Sequence, residues 1–298
     1  MSIFKKSIFY GLQPTITIVW LLIWLQFHQQ YNALVSLLIV LLSIIFAILE
    51  RIFPERSSWL LSRNEFAKDM FYQLGIYFIY GPFMVMVASQ FFIEYLGNTL
   101  KGEQYIIWPT EWPLIPKIFL ALIVSEFFGY WFHRAEHRFR LLWRLHSVHH
   151  SPNKMGWTKT AVNHPFEYFI LVVIGVLPAT IFGAQVPELE AATLLYLVTA
   201  QFAHCNLQLN HRWLSVIFTT NKLHYRHHSP ILKESLSNFG CALLIWDHIF
   251  GTFKGIQSCG RVGIATGNDL TLAQELILPF RRVPLGININ TPNSFYQQ

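Results

Sequence analysis

Charged side chains are scarce in this sequence of 298 residues: Asp, Glu, Lys and Arg together supply only 13% of it. Hydrophobic residues supply 53%, and the mean hydropathy is +0.37. A typical soluble domain has about 25% charged residues. The shortage of charge therefore argues against a soluble domain and indicates a protein that crosses a membrane several times.

Cysteine is also rare, because the chain has only Cys205, Cys241 and Cys259. An odd number without paired spacing argues against a disulfide framework and fits a cytosolic location. The sequence lacks both a C-x-x-C-H run and a four-cysteine pattern, which excludes a fused c-type haem or ferredoxin segment. It also lacks internal repeats and low-complexity linkers, so we expect a single membrane domain over residues 1–298.

Six hydrophobic runs organise the chain. A helix needs about 20 apolar residues to span the hydrocarbon. We predict an all-α integral membrane protein with about four transmembrane helices, followed by a helical hairpin around "GAQVPE" that dips into the bilayer. The runs cover residues 15–27, 33–49, 71–96, 116–132, 166–186 and 190–204.

The basic residues lie almost entirely on one side of these runs. Of the 22 Lys and Arg residues, only Lys101 and Lys117 fall on the other side. Basic residues favour the cytoplasmic side, which predicts a cytoplasmic location for both termini, for the tail (256–298) and for a helical cap after the fourth helix. Topology and anionic headgroups then explain the net charge of +6, and nucleic acid is not expected as a partner.

Histidine, by contrast, is concentrated: eight of the 13 histidines fall in three short groups. Residues at positions i, i+3 and i+4 of a helix share one face, so each group directs its imidazoles the same way. An H-x-x-H-H pattern is expected by chance in roughly 2% of such sequences, and here it occurs twice. The groups are "HRAEH" with His133 and His137, "HSVHH" with His146, His149 and His150, and "HYRHH" with His224, His227 and His228.

Neutral imidazoles packed together need partners for their lone pairs, and a metal ion is the usual partner. Eight nitrogen ligands exceed the four that close a zinc site, so the count indicates two metal ions. Imidazole alone does not select among iron, zinc, copper and nickel. Since "HRAEH" begins at the cytoplasmic end of the fourth helix, we expect the site in the cap at the membrane surface, where lipid and soluble molecules can both approach.

These motifs, in this order, resemble the sterol desaturase/fatty acid hydroxylase superfamily of membrane di-iron enzymes. The resemblance covers residues 115–255, which would form the catalytic region after the N-terminal spans (1–114). Flanking pieces resemble the same superfamily: "ERIFPER" (50–56), "NHPFE" (163–167), "NFG" (238–240) and "WDHIFGT" (246–252).

The resemblance implies two iron ions held by the eight clustered histidines, O2 as oxidant and two electrons from a separate donor, cytochrome b5-like or ferredoxin-type. It implies hydroxylation or desaturation of an unactivated C–H bond in a lipid. Sterols or other isoprenoids, fatty acyl chains and ether lipids all fit as substrates. No catalytic side chain beyond the metal ligands is implied.

Other members use a further histidine from the helix before the last cluster, which implies His204 as a ninth ligand. Their second histidine, four residues later, is Gln208 here, so a water or Asn206 is the expected replacement. Metal-bound histidines usually donate their second N–H to an acceptor. Candidates for such supporting contacts, rather than for ligation, are His164, Glu167, Asn238 and Asp247.

Two hypotheses from other classes stay open. The chain could be a zinc-bound, non-oxidative membrane hydrolase of the same superfamily, or a membrane protein that handles or transports metal. Transport is disfavoured because the clustered histidines lie outside the hydrophobic runs, whereas a transport path places ionisable groups near the bilayer midplane. Glu126, close to the middle of the fourth run, is the exception.

Overall fold

The computed structural model describes residues 3–88, 90, 107–210, 212–255, 260–264 and 269–281. The end of the run predicted at 71–96 and most of the tail predicted at 256–298 lie outside these residues.

Every regular element in the described part of the chain is helical, which confirms the predicted all-α class. Strand-like pairing is limited there to two isolated bridges, Pro54 with Leu207 and Phe218 with Leu243. The α-helices are α1 (Ile3–Phe27), α2 (Leu34–Ile52), α3 (Arg63–Leu74), α4 (Tyr80–Val87), α5 (Leu114–Glu136), α6 (Arg140–His146), α7 (Pro165–Phe182), α8 (Val186–His204), α9 (Asn221–His227), α10 (Leu232–Ser235), α11 (Ile245–Ile249) and α12 (Leu272–Ile277).

A π-helical turn, Gly75–Ile79, joins α3 to α4, so that the chain stays helical from one to the other. Ser62 begins α3 with a capping box, in which its hydroxyl accepts from the Glu65 N–H while the Glu65 carboxylate accepts from the Ser62 N–H. Gly81 follows the π turn because a Cβ there would lie 1.8 Å from the Ile76 carbonyl oxygen. The two helices therefore act as one long hydrophobic element.

Within the described residues, five helical segments are long and apolar enough to cross a membrane. The sequence predicted about four, and the additional one is α7, the first arm of the predicted hairpin. The segments are Phe9–Phe27, Leu34–Ile52, Arg63–Val87, Leu114–Glu136 and Pro165–Phe182.

The second arm of the hairpin, α8, is instead the central helix of the protein. Twelve of its 19 residues are buried, and it packs against α1, α2, α5 and α9. Phe202, for example, meets Phe46 of α2 edge-to-face with ring centroids 4.9 Å apart. A helix that is apolar all round belongs in a core, so the run at 190–204 is hydrophobic because protein, not lipid, surrounds it.

We call residues 137–163, 205–210, 212–255 and 260–264 the cap, since they fold over the ends of α2, α3, α5 and α8. Buried carboxylates on three helices hold it. Glu50 of α2 accepts the backbone N–H groups of Trp157 and Asn206, both at 2.8 Å. In the same way, Asp69 of α3 accepts from the Thr158 hydroxyl (2.5 Å) and Lys159 Nζ (2.8 Å), and Glu126 of α5 accepts from the N–H groups of Ala242 (2.9 Å) and Leu243 (2.8 Å).

Candidate metal centre

Nine buried histidines meet where α5 and α8 end beneath the cap, and they form two adjacent groups. Within each group, one ring nitrogen from every member lies within 4.8 Å of the others. The five-histidine group is His133, His137, His146, His150 and His227, and the four-histidine group is His149, His204, His224 and His228. The structure thus brings together all the histidines that the sequence and the resemblance selected as ligands.

Each H-x-x-H-H motif contributes to both groups. In the first motif, His146 and His150 enter the five-histidine group while His149 enters the other. In the second motif the division is reversed: His227 enters the five-histidine group, while His224 and His228 enter the four-histidine group. On a helix, the side chains at i+3 and i+4 diverge to opposite sides of the side chain at i. The three histidines of one motif can therefore contribute to two neighbouring groups.

Backbone carbonyl groups fix the protonation of four of the rings. A carbonyl oxygen only accepts, so a ring nitrogen bonded to it carries the proton and the other ring nitrogen has a bare lone pair. The bonded nitrogen is Nδ1 in every case: His133 to Phe239 O (2.6 Å), His227 to Ser237 O (3.0 Å), His149 to Val162 O (3.1 Å) and His204 to Ala200 O (2.8 Å).

The bare Nε2 atoms face one another at short range. The Nε2 atoms of His133 and His227 are 2.9 Å apart, and those of His149 and His204 are 3.1 Å apart. No proton is available between the members of either pair, so the contact is repulsive unless a cation shares the lone pairs. Two ligands at right angles, each about 2.1 Å from an ion, lie about 3.0 Å apart, whereas tetrahedral ligands lie about 3.4 Å apart.

Other ring nitrogens have no hydrogen-bond partner although they are buried. Both nitrogens of His137 and Nε2 of His150 are in this state, as is Nδ1 of His224 and His228. Burial also lowers the pKa of His137, His150, His224 and His228 well below 6.5, which keeps these rings neutral at pH 7. Buried polar atoms are normally paired, so the buried, unpaired nitrogens of His137 and His150, both in the five-histidine group, fit ligands of a metal ion.

Two carboxylates lie behind His146. Glu167 Oε1 accepts from His146 Nδ1 at 2.6 Å, while Glu136 Oε2 is 3.5 Å from the same nitrogen. Both side chains are buried. The sequence singled out Glu167 for this contact, but it missed Glu136, which follows His133 by three residues inside "HRAEH" and so faces the same way.

Asp247 and Asn238 act through the backbone and touch no histidine of either group. The Asp247 carboxylate accepts the N–H groups of Phe239 (2.9 Å) and Gly240 (2.7 Å), which places the Phe239 carbonyl against His133. Asn238 adopts a left-handed φ of 57°, and its side-chain oxygen accepts from Lys254 N at 2.9 Å. A Cβ at Gly240 would lie 2.1 Å from a carbonyl oxygen, so this tight turn requires glycine.

His164 lies apart from both histidine groups. Its Nδ1 accepts from Phe166 N at 3.3 Å, which caps α7, and its Nε2 faces Leu276 O at 3.3 Å. Asn206 does not reach the centre, because its side chain is bonded to the backbone of Arg56. Gln208 is exposed. Of the two replacements predicted for the missing histidine, a water or Asn206, the structure therefore contradicts Asn206. His204 enters the four-histidine group without it.

The fold and the site together define a helical membrane protein with two adjacent, buried groups of histidines that could each hold a metal ion. Residues 118–252 match the family model described as fatty acid hydroxylase. This match and the relatives described next agree with the sterol desaturase/fatty acid hydroxylase superfamily that the motifs predicted.

Curated relatives are enzymes that act on lipids or aldehydes, according to their names. The chain is 29% identical over 246 residues to the ornithine lipid hydroxylase OlsE of Rhizobium tropici, covering 79% of this chain and 72% of that protein. It is 29% identical over 171 residues to human alkylglycerol monooxygenase and 32% over 161 residues to the very-long-chain aldehyde decarbonylase GL1-7 of Oryza sativa subsp. japonica. These two alignments cover only 38% and 24% of the relatives. No solved structure matches the chain significantly.

Proposed function

We propose that this protein is a membrane di-iron oxygenase that uses O2 and two electrons to hydroxylate a C–H bond of a lipid. The family and its lipid hydroxylase and monooxygenase members support a lipid-acting oxidoreductase. The observation that carries the finer proposal is the pairing of bare imidazole nitrogens about 3 Å apart in both groups, together with the nine-histidine count.

Two features favour iron over zinc. Five histidines in one group exceed the four ligands of an ordinary zinc site. The short nitrogen–nitrogen distances also match ligands at right angles, which occur in five- and six-coordinate sites and not in tetrahedral ones. When bound, the two irons would supply O2 activation. The protein holds them with neutral rings, excludes water by burial, and orients His146 through Glu167.

The metal-transport hypothesis loses its main support. Glu126, the ionisable residue close to the middle of the fourth predicted span, uses its carboxylate to accept two backbone N–H groups of the cap. A carboxylate occupied in this way anchors a loop and is not free to pass an ion.

Several finer assignments belong to the same proposal. Residues 115–255 form the catalytic region, and the centre and both termini face the cytoplasm. A separate cytochrome b5-like or ferredoxin-type protein donates the electrons. The substrate is a headgroup-bearing lipid, since the most extensively aligned relative named above is an ornithine lipid hydroxylase and another is an alkylglycerol monooxygenase.

The test is elemental analysis of the detergent-purified protein with single-group variants. Wild type is compared with His227→Ala, which alters the five-histidine group, and with His149→Ala, which alters the four-histidine group. His248→Ala is the matched control, because His248 is exposed and belongs to neither group. We expect about two irons per chain in wild type and control, fewer in each variant, and at least a hundredfold loss of O2-dependent lipid oxidation in both variants.

Metal content and membrane insertion are measured on the same preparations. Two zincs per chain, with turnover that does not need O2, would replace the proposal by a hydrolase. No stoichiometric metal in protein produced with added iron would remove its basis.

A further inference from the structure

A cavity of about 490 Å³ opens beside the end of α5. Its lining combines two cationic side chains with apolar and aromatic ones. The residues that matter here are Trp131, Arg134, Arg138, Phe139, Leu236 and Phe239. We call this cavity the arginine pocket.

Phe239 separates the arginine pocket from the five-histidine group. Its ring lines the pocket on one side. On the other side, its centroid lies 5.4 Å from the His137 ring and 5.7 Å from the rings of His133 and His227. A molecule in the pocket is thus one aromatic ring away from the proposed metal centre.

The two guanidinium groups of the pocket are not neutralised within the described part of the chain. No ion pair there involves Arg134 or Arg138. Arg134 donates to the Tyr130 hydroxyl at 3.1 Å and lies over Trp131, which positions it without cancelling its charge. Arg138 is exposed at the next turn. A guanidinium pair of this kind favours a carboxylate or a phosphate.

The apolar side chains that line the arginine pocket are also exposed. Trp131 is 41%, Phe139 61% and Leu236 40% exposed. The pocket lies at the end of α5, a helix of 23 residues. At about 1.5 Å per residue such a helix slightly exceeds the hydrocarbon thickness of about 30 Å, so its last turns lie at headgroup depth, where Trp and Arg are typical.

We propose that the arginine pocket binds the anionic headgroup of the lipid substrate, through Arg134 and Arg138, with Trp131, Phe139 and Leu236 against the adjoining apolar atoms. This assignment rests on the proposed function and adds a substrate class to it: lipids that carry a carboxylate or phosphate near the oxidised carbon. The concave shape and apolar lining favour a lipid headgroup over the flat contact of a redox protein.

The experiment measures binding, not turnover, with the full-length protein in a non-ionic detergent. Dihexanoyl phosphatidylglycerol, dihexanoyl phosphatidylcholine and inorganic phosphate are titrated by calorimetry into wild type, Arg138→Gln and Arg134→Gln/Arg138→Gln. The control is Arg51→Gln/Arg63→Gln, which removes the same charge from two exposed positions outside the pocket. Iron content is determined for every preparation.

We expect the double pocket variant to bind phosphatidylglycerol at least tenfold more weakly than wild type, while Arg138→Gln gives a smaller loss. The control and the phosphatidylcholine affinity should not change. Unchanged phosphatidylglycerol binding in the double variant would overturn the proposal, and so would inorganic phosphate binding as tightly as the lipid. Failure of the di-iron proposal would appear separately, as absent iron in wild type.

Discussion

At the scale of single residues, the proton positions matter as much as the ligands themselves. Carbonyl groups from three segments of the chain hold Nδ1–H of His133, His149, His204 and His227, so each Nε2 is directed inward as a base. His146 is the exception, since its Nδ1 faces the carboxylate of Glu167. A negatively charged acceptor makes an imidazole a stronger donor to a metal than a carbonyl does.

Glu167→Gln should therefore weaken iron binding at the five-histidine group by about 10–100-fold. Glu136→Gln should have a smaller effect, because Glu136 lies 3.5 Å from His146 Nδ1 whereas Glu167 lies 2.6 Å from it. Competition with a chelator, followed by absorbance and metal analysis, measures both. An equal effect of the two variants would show that the shorter contact has no special role.

At the scale of elements, short loops take their geometry from buried carboxylates. Asp247 at the start of α11 gathers two backbone N–H groups of residues 239–240 and the Thr252 hydroxyl, the last at 2.6 Å. That loop in turn supplies the carbonyl that orients His133. The stability of the cap and the orientation of one ligand thus depend on a single side chain.

Asp247→Ala should lower the free energy of unfolding by about 3 kcal/mol, since it leaves buried N–H groups without a charged acceptor. Thr252→Val removes only one donor and should cost about 1 kcal/mol. Thermal unfolding in detergent gives both values. Asp247→Ala should also loosen iron at the five-histidine group, which a purely structural loss elsewhere in the protein would not do.

The sequence predicted which histidines come together better than it predicted how they divide into two groups. Spacing alone placed the imidazoles on shared helix faces, because i, i+3 and i+4 are local relations. It could not show that His149 and His227 enter the opposite group from their motif neighbours. Nor could it show that the carbonyls of Phe239, Val162 and Ser237 accept from His133, His149 and His227 respectively, because spacing in a motif does not reveal such contacts. Hydrophobicity likewise could not tell the buried α8 from a lipid-facing helix.

At the scale of the whole molecule, the apolar surface lies on the outer faces of the long helices. On α2, Leu37, Leu41, Ile44 and Ile48 are exposed, while Leu38, Leu42 and Phe46 on its other face are buried. A soluble protein rarely leaves such a continuous apolar face uncovered. The inner faces hold the core and the outer faces meet lipid.

Ile44→Arg places a charge near the middle of the outer face of α2 and should cost about 2.5–3.5 kcal/mol of insertion free energy. The yield of membrane-integrated, carbonate-resistant protein should fall accordingly. Tyr31→Arg is the control, because Tyr31 is equally exposed but lies in the loop before α2. Equal yields for the two variants would contradict the placement of this face in lipid.

The facing lone pairs have a consequence for the life of the protein in the cell. Rings whose bare nitrogens lie 2.9 Å and 3.1 Å apart repel one another without a cation between them. Under the di-iron proposal we therefore expect the cap to complete its folding only as metal binds. On that expectation, a chain made during iron shortage would expose unfinished loops above the membrane, where quality-control proteases remove such segments. Iron supply would then set how many copies survive, as well as how fast each one works.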